Sequence, residues 1–133
     1  MARSRRSCHA VPGSNERFIA KAVELDADEI FLDLEDAVAP NEKDSARERV
    51  IESLRSLDFG PKTVVVRVNG TDTPHYYKDL IAVVERAGEH VDAVMLPKVR
   101  TPGDVEMTDK LLTQIELGRG LEIGRIGIEA QIE

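Results

Sequence analysis

The chain has 133 residues, 41% hydrophobic, 32% charged and 4% aromatic, a globular balance long enough for one modest domain. Its formal net charge of -7 argues against non-specific nucleic-acid binding, and no apolar run approaches the ~18 residues of a membrane span. The single cysteine, Cys8, excludes an internal disulfide framework and fits a reducing, cytoplasmic setting.

Met1 to Arg6 carries Arg3, Arg5 and Arg6 with no acid and no apolar stretch, which reads as a basic lead-in to a strand, not a targeting peptide. Ser7–Val11 is the first expected strand, followed by a helix with Ser14 as N-cap and Phe18, Ala22 and Leu25 as its apolar positions. Glu29–Leu34 is the second strand, and Ala46, Val50, Leu54 and Leu57 recur at helical steps behind it. Thr63–Val68 follows, with Leu80, Val83, Val84 and Ala87 on the next helix. Ala93–Leu96 is the fourth strand, Val105, Leu111, Leu112 and Ile115 mark the fourth helix, and Arg125–Ile132 is the fifth strand. Gly118, Gly120 and Gly124 precede a strand, so they read as a helix exit and turn, not a phosphate loop.

Alternating strands and helices imply a parallel sheet, either an open doubly wound one or part of a (β/α)₈ barrel. A sequence that stops on a strand, at Ile132-Glu133, predicts about five βα units of a TIM barrel, apparently truncated. Residues 1–133 are thus expected to form a single incomplete barrel domain, without the strands and helix that would cover its last edge.

In parallel α/β folds the chemistry gathers at the C-terminal ends of the strands. Here those ends carry Val11-Pro12-Gly13-Ser14-Asn15, Asp33-Leu34-Glu35-Asp36, Arg67-Val68-Asn69-Gly70, Pro97-Lys98 and Glu133. Asp33, Glu35 and Asp36 would repel one another unless a cation relieves them; with Glu133 they suit Mg²⁺, or they are acids favoured by the next helix dipole. Arg67 closes a Val-rich strand, either to clasp a substrate carboxylate with its planar fork or to pair with those acids. Arg17 and Lys21 share one helical face, where they hold phosphates or face solvent. Lys98 has the position of a Schiff-base lysine or of a salt-bridge partner. His9, His75, His90 and Cys8 have no spacing that implies a role.

Ser7-Cys8-His9-Ala10-Val11-Pro12-Gly13, Leu32-Asp33-Leu34-Glu35-Asp36-Ala37-Val38-Ala39-Pro40 with Lys43 and Ala46-Arg47, Arg67-Val68-Asn69, Met95-Leu96-Pro97-Lys98-Val99 and Ile132-Glu133 occur in that order. Together they resemble the citrate lyase beta subunit and malyl-CoA lyase family, a group of CoA ester lyases, over essentially the whole chain. The block from Leu32 to Arg47 is the most specific part. The resemblance implies a barrel and a Mg²⁺-dependent carbon–carbon lyase that cleaves or forms a 3-hydroxyacyl thioester of the citryl-, malyl- or citramalyl-CoA class. Its substrate would be an acyl-CoA or acyl-carrier thioester. It further implies that Arg67 binds the substrate carboxylate and that Glu133 is one of two Mg²⁺ ligands, the second lying beyond Glu133. Glu35 and Asp36 would act with Arg67 in catalysis, and Lys21 and Arg17 would lie near the CoA phosphates. Ala10 departs from the aromatic residue of some members, which bears on that nucleotide contact. A residue lent between subunits in some members implies a homo-oligomer when complete, and the 133-residue chain alone is expected to be inactive. Two other readings stay open: a thioesterase relative, and a truncated homologue or accessory subunit that binds acyl-CoA or a partner without turnover.

Overall fold

Each apolar run of the sequence becomes a strand, and each 3.6-residue repeat becomes the helix that packs behind it. The computed structural model describes residues 3–133, so Met1 and Ala2 of the basic lead-in lie outside the described residues. In chain order the elements are β1 (Cys8–Pro12), α1 (Glu16–Ala22), β2 (Glu29–Asp33), α2 (Lys43–Ser56), β3 (Thr63–Arg67), α3 (Tyr76–Ala87), β4 (Ala93–Leu96), α4 (Pro102–Arg119) and β5 (Gly127–Ala130). No helix among the described residues is long and apolar enough to cross a membrane.

The five strands are all parallel and lie in the order β1-β2-β3-β4-β5. A doubly wound sheet reverses its strand order and buries both faces under helices. Here the order never reverses, and the helices share one core with one face of the sheet. Val11, Ile30, Leu32, Val64, Val66, Val94 and Leu96 of the strands pack in one cluster with Ile19, Val50, Leu54, Leu80, Val84 and Leu112 of the helices. The opposite face has its own small cluster of Val65, Ala93 and Met95, with Phe31 against it. This is the arrangement of successive strands of a (β/α)₈ barrel, with helices outside and a filled interior.

Register shows the stagger of such a barrel. Asp33 aligns with Arg67, Arg67 with Met95, and Met95 with Glu129. Yet Glu129 shares an arginine with Glu29, four residues before Asp33 on β2. Strands tilted and sheared as in a closed barrel give that offset; a flat sheet does not.

Several local expectations shift. Asn15, not Ser14, caps α1: its side chain accepts the Phe18 amide at 3.0 Å, while the Ser14 carbonyl accepts from Arg49. Ile19 and Ala22 are the buried positions of α1, while Phe18 and Leu25, the latter beyond the helix end, are exposed. The fifth strand is shorter than Arg125–Ile132 because pairing with β4 spans only Gly127–Ala130. Gly120 ends α4 in the left-handed region at φ 68°, and Gly124 turns at φ 79°, the helix exit expected there. Gly13 serves a different need, since a Cβ would stand 2.7 Å from the Asp33 carbonyl and 2.8 Å from Val50 Cγ2. That close approach brings the ends of β1 and β2 together at the mouth of the sheet.

Candidate active site

Asp33 is the last residue of β2 and Arg67 the last of β3, in direct register, so their side chains meet on the concave face. Arg67 donates from Nε to Asp33 Oδ1 at 2.8 Å and from Nη2 to Oδ2 at 2.7 Å. The same carboxylate accepts the backbone amides of Glu35 at 2.8 Å and Ala37 at 3.0 Å, which folds the loop after β2 around it. Burial alone would raise the Asp33 carboxyl, but Arg67 and the two amides outweigh it and hold the group below the ordinary range.

The loop is also pinned from behind and from above. Lys43, at the start of α2, donates to the carbonyls of Leu34 at 2.9 Å and Glu35 at 2.6 Å. Lys98 donates to Glu35 Oε2 at 2.7 Å and lies 3.4 Å from Asp36 Oδ1. Its hydrogen bond to Glu35 raises the Lys98 ammonium above its ordinary range, which suits a salt-bridge partner and opposes a Schiff-base nucleophile. Lys98 has φ 51°, a left-handed backbone that a side chain rarely adopts away from functional turns.

The acids and Arg67 are therefore brought together as expected. Of the two roles considered for Arg67, pairing with the acids is the one formed here, but it does not exhaust the guanidinium. The Nη1 group lies 3.6 Å from Glu35 Oε1 and 3.4 Å from Gln131 Oε1, and the ring of Phe31 supports the guanidinium carbon at 5.1 Å. Arg67 has five N–H donors, so its Nη1–Nη2 edge can meet a second carboxylate while Nε and Nη2 stay on Asp33. Glu35 Oε1 is buried and has no hydrogen-bond partner.

The other expected residues stand apart. Glu133 is exposed beyond β5, and Arg17 and Lys21 are exposed on α1, without ion pairs among the described residues. No group of three or more His, Cys, Asp or Glu among the described residues is arranged to hold a metal ion.

Asp79 was missed by the sequence reading. Fully buried on α3, it accepts Arg47 Nε at 2.8 Å and both nitrogens of Asn69, the backbone at 3.0 Å and the side chain at 2.6 Å. It thereby ties α2, α3 and the turn after β3 into one network. The signal was its spacing: Asp79 falls on the apolar stripe of Tyr76, Leu80, Val83 and Val84 and not on the solvent face.

Comparison with known proteins gives a consistent picture. Residues 6–133 match the family described as HpcH/HpaI aldolase/citrate lyase. The L-malyl-CoA/beta-methylmalyl-CoA lyase of Rhodobacter capsulatus is 43% identical over 122 residues, 92% of this chain and 38% of that protein. Citrate lyase subunit beta of Leuconostoc mesenteroides subsp. cremoris is 43% identical over 131 residues, 98% of this chain and 42% of that protein. A crystal structure of the CitE protein of Mycobacterium tuberculosis, in complex with magnesium, acetoacetate and coenzyme A, superposes with a TM-score of 0.65 at 32% identity, covering 79% of this chain and 38% of that one. The chain thus spans about two fifths of the length of the relatives it matches.

Proposed function

The chain belongs to the HpcH/HpaI aldolase/citrate lyase family, and from that premise we propose that the whole protein is a Mg²⁺-dependent carbon–carbon lyase. Its substrate would be a 3-hydroxyacyl-CoA type thioester of the citryl-, malyl- or citramalyl-CoA class. The observation that carries the reading is Arg67, held by Asp33 on one edge while its Nη1 group faces Glu35 and Gln131 at the mouth of the sheet.

In this role Arg67 receives the carboxylate of the α-oxo acid product and fixes its plane. Cleavage of the bond between the α and β carbons leaves an enolate on the thioester side, a developing negative charge that a bound cation would favour. The donor chemistry suits magnesium: hard carboxylate oxygens, of which Glu35 Oε1 is buried without a hydrogen bond. We assign Glu133 as one ligand, with Glu35 and Asp36 as acceptors for the ion's water shell. When bound, the ion would polarise the carbonyl that forms on cleavage. Arg17 and Lys21, exposed on one face of α1, are assigned to the CoA phosphates. We further place the protein in the cytoplasm as a homo-oligomer, with residues 1–133 as part of one barrel domain.

The test is a chimera in which residues 6–133 replace the matching segment of the Rhodobacter capsulatus lyase. Cleavage of malyl-CoA that requires added Mg²⁺ and is abolished by EDTA is the expected result. A folded chimera that binds CoA thioesters without cleaving them would overturn the lyase reading and favour a non-catalytic binding protein.

A further inference from the structure

The three arginines of the basic lead-in, which the proposed activity does not use, are engaged at the opposite end of the sheet. Arg3 pairs with Asp92, just before β4, at 3.0 Å. Arg6 holds Asp28, just before β2, through its backbone amide and Nε at 2.9 Å and Nη2 at 3.0 Å. Between them, Arg5 lies 3.5 Å from Glu29 of β2 and is ion-paired with Glu129 of β5. The Ser7 hydroxyl and carbonyl accept the amides of Asp28 and Glu29, both at 3.0 Å. Residues 3–7 therefore run across the N-terminal ends of the strands, away from Arg67.

In strand order β2 and β5 are three spacings apart, about 14 Å along a flat sheet at ~4.8 Å per strand. One guanidinium nevertheless reaches a carboxylate on each. We propose that the N-terminal arm is an electrostatic strap in which Arg5 ties β5 to β2 across the concave face and so fixes the curl of the sheet. Gln131, two residues beyond Glu129, meets Arg67 at the other end of the same curl.

The surroundings of Glu129 support this. The charged and titratable groups that face it are Glu29 from β2, Cys8 from β1 and Arg5 from the arm. Cys8 Sγ donates to Glu29 Oε1 at 3.0 Å, whereas the buried Glu29 Oε2 has no hydrogen bond. Burial, and then the neighbouring Glu29, pushes the Glu129 carboxyl up to about 7, so these two acids are pressed together and share a single arginine.

Hydrogen exchange on the 133-residue chain tests the strap. In Arg5→Gln, the amides of Gly127 and Gln131, bonded to Asp92 and Leu96, should exchange about tenfold faster while those of β3 are unchanged. The swap R5E/E129R keeps one cation between two carboxylates and should restore protection that R5E alone loses. Unaltered β5 exchange in Arg5→Gln, or no recovery in the swap, would overturn the proposal. Should the variants fail to fold, a salt series on the unaltered chain decides, because the arm is exposed enough to be screened. Loss of β5 protection ahead of β3 between about 0.05 and 1 M NaCl supports the strap; loss in parallel, or none, overturns it.

Discussion

At one end of the concave face Asp33 meets Arg67, and at the other Glu129 meets Arg5, yet the first carboxyl is held below its ordinary range and the second is raised to about 7. Both are drawn out of water, which raises a carboxyl in either place. The difference lies in the donors each receives. Asp33 has both edges of its carboxylate on Arg67 and accepts two backbone amides besides. Glu129 shares one arginine with Glu29, and no backbone amide reaches it among the described residues. Proximity of an arginine does not by itself lower a carboxyl; what decides is how many donors remain after its neighbours have taken theirs.

The most severe way to break this contrast is Asp33→Asn, which keeps the shape and removes the charge. It strands the guanidinium of Arg67 in a partly buried site and should cost about 3 kcal/mol in urea unfolding. A carboxyl lowered in the folded state contributes stability that is present above its ordinary pKa and lost as pH falls through the lowered one. The variant should therefore also lose part of the acid dependence of stability. A cost under about 1 kcal/mol would mean that the Asp33 end is no better paired than the Glu129 end.

Arg67→Lys examines the same end through activity. Lysine keeps the charge but cannot hold Asp33 bidentately while presenting a second edge. In the active chimera a loss on the order of 10²-fold in kcat/KM is expected, about 2.7 kcal/mol in transition-state binding. Activity within a few-fold of the parent would leave Arg67 only as the partner of Asp33.

The two ends were not equally legible. Asp33, Glu35, Asp36 and Arg67 were readable because strand alternation and a strand-end position put chemistry on short, local patterns. β4 was read to the residue as Ala93–Leu96, for it is buried along its whole length. The end held by Arg5 was invisible: Arg5 and Glu129 are 124 positions apart, and only the stagger of the strands brings them together. Errors elsewhere came from competition between neighbours. Ser14 and Asn15 are both good caps, and only the hydrogen bond to Phe18 chooses between them. Asp79 sits on the apolar stripe of α3, but its partners Arg47 and Asn69 lie 32 and 10 positions away, so only the fold shows what it holds.

Glu129→Gln sharpens the other half of the contrast. A carboxyl raised in the folded state contributes stability that is present below its ordinary pKa and lost as pH rises through about 7. Removing its charge ends its repulsion with Glu29, which should stabilise the chain at pH 8 by about 1 kcal/mol allowing for water that still reaches the group. The lost tie to Arg5 shows separately as faster β5 exchange. At pH 5, where most Glu129 is already protonated, the gain should shrink. Equal melting at both values for the two proteins would show that Glu129 is not strained by its neighbour.

The smallest effect separates backbone from charge at the upper end. Lys98 holds Glu35 and Asp36 from a left-handed backbone at φ 51°, so two properties are joined in one residue. Lys98→Ala removes the ammonium and keeps the strained conformation, whereas Lys98→Gly removes both the ammonium and the clash of Cβ with the backbone. The ion pair is lost equally in the two variants, so their difference reports the backbone alone. Glycine at φ > 0 relieves a cost that alanine retains, although its freer unfolded chain takes part of the gain back. Lys98→Gly should therefore melt about 3 °C above Lys98→Ala, with the parent protein above Lys98→Ala by whatever the grip on Glu35 adds. If the alanine variant matched the parent, that grip would add little to stability, and the left-handed turn would stand as a feature kept for the geometry of the mouth. If the two variants melted together, the backbone would carry no strain, and the placement of Lys98 would rest on its charge.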